Sequence, residues 1–133
     1  MAALQIYVTF PGTARAALGF YQDVFGGDLA LHSYADFGRT DGPPTMIAHG
    51  TLDGLVTIAG SDASPGQESV QFRGLMLSLL GTADPDVLHG WFDKLAAGGT
   101  VVVPLGPKPW GATDGQVIDQ HGLHWLIGYE PTA

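Results

Sequence analysis

Five histidines, at positions 32, 49, 89, 121 and 124, are the groups of this chain best suited to proton transfer or metal ligation near neutral pH. His32 falls in an expected strand and His89 on the polar side of an expected helix, so both read as solvated side chains. His121, in "DQHGLH", reads as a turn residue. His49 follows "MIA" in a strand that should line a concave sheet, and His124 stands two residues before Leu126, which places both on one strand face. Trp110 lies in "GPKPWGATDG", punctuated by Pro and Gly, where neither a helix nor a strand period explains a large aromatic ring. It suits a pocket wall or a loop anchor. The candidate ligand-binding residues are therefore His49, Trp110 and His124. No catalytic residue is assigned.

The carboxylates offer no defensible acid–base pair. Asp84 and Asp86 suit a helix N-terminus, Asp119 in "VIDQHG" should order a hairpin, and Asp62 in "GSDAS" reads as a turn. No P-loop, G-x-S-x-G elbow or dinucleotide fingerprint is present. The chain has no cysteine, so disulfides, thiolate metal sites and thiol catalysis are excluded. A pair of His49 and His124 would supply only two metal ligands, and the expectation is no metal and no cofactor.

Charge narrows the partners. Thirteen Asp and Glu against five Lys and Arg give a net charge of -8, and Arg15, Arg39, Arg73, Lys94 and Lys108 are scattered. Nucleic acid and anionic membrane are thus disfavoured, and a cationic small molecule is favoured. No apolar run approaches the roughly 20 residues of a membrane span, and "MAALQIYVTF" has no basic stretch ahead of its apolar residues. A cytoplasmic protein is expected.

The elements that must position these residues come twice. Asp84 with Pro85 opens a helix in which Leu88, Trp91, Phe92 and Leu95 fall at i, i+3, i+4 and i+7 before Gly98-Gly99. Thr13 opens another, in which Ala17, Phe20, Tyr21 and Val24 take the same four places before Gly26-Gly27. The expected helices span 13–25 and 84–97. A β-rich run precedes each, at 4–10 and 74–80, and three more strands follow each. The order is βαβββ twice, which predicts an α+β fold in which two βαβββ modules form a cupped mixed sheet. Module boundaries are expected at 1–60 and 70–133, with a linker at 61–69, and "DFGRTDGPPT" at 36–45 reads as a mobile connection. One helix covers one face of a four-stranded sheet, so the other face needs a partner or becomes a cavity.

The pattern resembles the PhnB-like branch of the vicinal oxygen chelate superfamily, the glyoxalase, bleomycin-resistance and dioxygenase fold. The residues that carry the resemblance are "FY..VFGG" (Phe20 to Gly27), "AHG" and "IAGSDA" (Ala48 to Ala63), "WFDKLAAGGTVVVPL" (Trp91 to Leu105) and "PWGATDGQVIDQHGLHWLI" (Pro109 to Ile127). It implies a homodimer and a metal held by His, Gln or Glu from the first and last strand of each module. Carried onto this chain, those positions fall near Gln5 or Ile6, at Thr57 to Ala59, at Gly74 and at Leu126. Only Gln5 among them could coordinate through its side chain. Two functions remain open: a metal-independent small-molecule binding protein of the bleomycin-resistance sort, sequestering a cationic antibiotic, or an enzyme of the superfamily.

Overall fold

The computed structural model describes residues 4–131 and divides into two compact units, one running to Val70 and the other starting at Gln71. In the first, β1 (Ile6–Phe10) leads into α1 (Ala14–Phe25), followed by β2 (Asp28–Ser33), a short 3-10 turn at Ala35–Phe37, β3 (Ile47–Asp53) and β4 (Ile58–Asp62). The second repeats the plan with β5 (Leu77–Leu80), α2 (Pro85–Ala96), β6 (Thr100–Pro107), β7 (Thr113–Ile118) and β8 (His124–Tyr129). The strands form two four-stranded sheets, ordered β1-β4-β3-β2 and β5-β8-β7-β6. First and last strands of each module pair in parallel and the remaining ladders are antiparallel, so each sheet is mixed.

The expected helix stripes are the buried ones. Leu88, Trp91, Phe92 and Leu95 are all buried, each stabilising the fold by roughly 1.5–3 kcal/mol relative to exposure. In α1 the buried set is Ala14, Ala17, Leu18, Tyr21, Val24 and Phe25, so the stripe is wider than read from sequence and Phe20 sits at its half-buried rim. α1 packs on β2, β3 and β4, and α2 on β6, β7 and β8. Gly50 allows the close approach in the first module, because an added Cβ would stand 2.7 Å from Leu18 Cδ1.

Several local expectations are corrected. β4 continues through Asp62, so 61–62 are strand rather than linker, and Asp62 is no turn residue. Its buried carboxylate accepts from Ala14 N–H and Ile47 N–H, both at 2.8 Å, and so caps α1 from a neighbouring strand while Thr13 makes no side-chain cap. The run 36–45 is held by local contacts: Arg39 donates to Asp41 through both Nε and Nη2 and lies over the Tyr34 ring. β5 starts at Leu77, three residues after Gly74. Among the described residues no helix is long and apolar enough to cross a membrane.

Candidate functional site

The β6–β7 connection decides where Trp110 goes. Lys108 N–H donates to the Ala112 carbonyl and Gly111 N–H to that of Lys108, closing a tight loop in which Gly111 takes φ +101°. The loop lifts Trp110 off the sheet, leaving its side chain 72% exposed on one wall of a cleft of about 370 Å³. Leu80 at the end of β5, Asp114 at the start of β7, and Tyr129 and Glu130 at the end of β8 complete that cleft. The parallel β5–β8 pairing, with Leu80 opposite Gly128, is what gathers the ends of these strands.

No lysine or arginine lines the cleft. Lys108, two residues from Trp110, directs its ammonium to the Pro104 carbonyl at 3.4 Å. Tyr129 has its hydroxyl bound to His89 Nε2 at 3.0 Å, so His89 is a partly buried partner of the cleft wall and not the solvated residue expected. Such a cleft offers ring faces and negative charge.

His124 is placed elsewhere. Its Nε2 is 3.0 Å from Gln116 Oε1, on the sheet face opposite the buried Trp125 and Ile127. Five residues separate it from Tyr129, roughly 17 Å of strand, so His124 and Trp110 do not share the cleft. His49 belongs to the first module. It alternates with Gly50 on β3, facing away from α1, and Tyr7 reaches over the small Ala59 and Ser61 of β4 to place its hydroxyl 3.1 Å from His49 Nδ1. The two rings stack at a centroid distance of 5.7 Å. His32 is the cross-strand partner of His49 and is exposed, as expected, with its ring stacked on that of Phe37.

Asp119, like Asp62, acts structurally. Asp119 accepts from His121 N–H, Leu123 N–H and Trp125 Nε1, the ordering role expected of the "VIDQHG" turn. The His121 imidazole beside it is held below its ordinary value of 6.5, chiefly by burial, with the Asp119 carboxylate pulling the other way.

The register also tests the implied metal positions. Gln5 lies just before β1, Ile6 stands opposite Ile58, Ala59 opposite Tyr7 and Leu126 opposite Ser78, so the paired positions present aliphatic, phenol and hydroxyl groups rather than imidazoles or carboxylates. Gly74 lies before the strand begins. Gln5 apart, the implied positions offer a divalent ion no His, Asp or Glu, and among the described residues no three His, Asp or Glu side chains gather to hold one.

Two βαβββ modules of identical strand order make a fold that repeats within one chain, and the second module carries an aromatic, acidic cleft. The chain belongs to the Glyoxalase/Bleomycin resistance protein/Dioxygenase superfamily, which it matches over residues 4–127. Protein YjdN of Escherichia coli is 28% identical over 142 residues, covering 93% of this chain and 92% of that one. Protein PA1353 of Pseudomonas aeruginosa is 32% identical, with 96% and 98% coverage and a TM-score of 0.78. The PhnB protein of Bacillus cereus, 22% identical with 96% and 99% coverage, shares the fold at a TM-score of 0.77.

Proposed function

We propose that this protein binds a small organic cation, such as a basic antibiotic, in the Trp110 cleft without the help of a metal. The observation that carries the reading is the lining itself: Trp110 and Tyr129 supply aromatic area and Asp114 and Glu130 supply negative charge, with no lysine or arginine in the lining. At the positions carried over from the superfamily, Ile6, Ala59, Gly74 and Leu126 offer no metal-binding side chain and Gln5 is a lone candidate, which supports the metal-independent part.

The test is a titration with a panel of basic glycopeptide and other cationic antibiotics, read by tryptophan fluorescence at low and high salt. Binding that survives a chelator and weakens with salt is expected. No response to any cation overturns the reading. A second reading, an enzyme of the superfamily, is favoured by one observation, the hydrogen-bonded Tyr7–His49 pair, which has the makings of a proton-transfer couple. Turnover that is lost in His49→Gln and kept in Trp110→Ala would favour it. The bare sheet edges and the superfamily resemblance also lead us to propose a homodimer, to be read from sedimentation at micromolar concentration.

A further inference from the structure

We propose that the first module carries a second binding site, for a flat aromatic ligand, on the sheet face away from α1. The site is a run of four rings. Gly50 and Leu31 lie on the α1 side of the sheet, since a Cβ on Gly50 would stand 2.7 Å from Leu18 Cδ1 and 2.9 Å from Leu31 Cδ2. Strand alternation therefore puts His49 and its cross-strand partner His32 on the other face. Tyr7 joins them from β1, its hydroxyl 3.1 Å from His49 Nδ1, and Phe37 joins from the turn after β2, stacked on His32.

The geometry of these rings makes the face a platform. The Tyr7 and His49 planes are within 19° of parallel at a centroid distance of 5.7 Å, and the His32 and Phe37 planes repeat both values. Tyr7 is 51% and Phe37 56% exposed, so ring surface is open to solvent at both ends of the run. On β4, between β1 and β3, Ala59 and Ser61 are too small to rise between Tyr7 and His49. A contiguous exposed patch of this kind marks a binding surface, as a single exposed ring does not. The hydrogen bond holds Tyr7 and His49 near parallel before any ligand arrives, which removes part of the ordering cost of binding. A planar ring system laid on them gains offset-stacked contact, whereas a puckered ring of the same size meets flat faces poorly.

This site shares no residue with the Trp110 cleft and is independent of the cation-binding reading. The experiment titrates the full chain with 1-naphthamide and with its saturated, puckered analogue decahydro-1-naphthamide, both uncharged, and follows aromatic side-chain protons by NMR. The flat amide should bind roughly three- to tenfold more tightly than the puckered one and shift the Tyr7 and His49 ring protons upfield. Tyr7→Leu should remove that preference and Trp110→Leu should leave it intact. The shifts in the unaltered chain carry the test if Tyr7→Leu fails to fold. Equal binding of the two amides overturns the stacking argument. Shifts confined to Trp110, or a preference lost in Trp110→Leu, overturn the placement, and no binding of either amide at millimolar concentration overturns the site.

Discussion

The indole nitrogen of Trp125, fully buried under α2, donates to Asp119 Oδ2 at 2.8 Å, so the largest side chain of the second core is fastened to the turn that begins its own strand. The other carboxylate oxygen accepts His121 N–H at 2.7 Å and Leu123 N–H at 3.3 Å. Removing this group takes the Asp119 acceptor from a buried indole N–H and from two turn amides. Asp119→Ala should therefore cost about 2–4 kcal/mol in denaturant unfolding, and Asp119→Asn, which keeps one acceptor, clearly less.

Asp62 does for the first module what a local cap would do, from a strand 48 residues away in sequence. Asp62→Ala frees the Ala14 and Ile47 amides together and should cost about 2–3 kcal/mol. Thr13→Ala, whose side chain makes no capping bond, should cost well under 1 kcal/mol on the same measurement.

His121 predicts a pH dependence. Burial lowers its folded-state pKa below the ordinary 6.5, so the fold prefers the neutral ring. Its stabilising contribution is complete above about pH 6.5 and is lost as pH falls through the folded value. Denaturation midpoints of wild type should drop across this window more than those of His121→Asn; parallel curves would show that the ring does not titrate with folding.

Gly128 is where fold and cleft meet. A Cβ there would press on the Thr113 carbonyl and stand 2.6 Å from Asp114 Cβ. Gly128→Ala should destabilise by roughly 1–3 kcal/mol and, by shifting Asp114, weaken binding of any cationic ligand found. Wild-type affinity in this variant would show that Asp114 is not a working wall of the cleft.

Trp110 should behave in the opposite way. Trp110→Ala is expected to change stability by no more than about 0.5 kcal/mol while weakening ligand binding by on the order of 1–3 kcal/mol. A large loss of stability would mean that the ring anchors its loop.

The periodic parts of this architecture are legible in the residues. The Leu88, Trp91, Phe92 and Leu95 stripe and the doubled strand order follow from spacing, because helices and strands write their buried faces at fixed intervals. Asp62 and His89 are not legible in this way. Each finds its partner across elements, Asp62 on α1 and β3 and His89 on Tyr129, and no local interval encodes such a meeting. Among the site residues, Trp110 stood out because its loop explained no aromatic ring, whereas Tyr129, Glu130 and Asp114 became visible only once the β7–β8 register was known. Tyr7 was hidden for the same reason, since its hydroxyl meets His49 across an intervening strand.

The order β1-β4-β3-β2 places the last strand of the module made by the ribosome in the middle of the sheet. Ile6 must wait for Ile58 and Leu77 for Trp125, so β1 and β5 emerge with no strand to join. At typical synthesis rates the first wait is roughly 3–10 s, long compared with the closing of a helix or hairpin. During it α1 and the β2–β3 hairpin have an apolar surface and only half a sheet to cover it. Each module thus completes its sheet only when its final strand arrives, and a chain cut just before β4 or β8 leaves that module without the strand that joins its first strand to the rest.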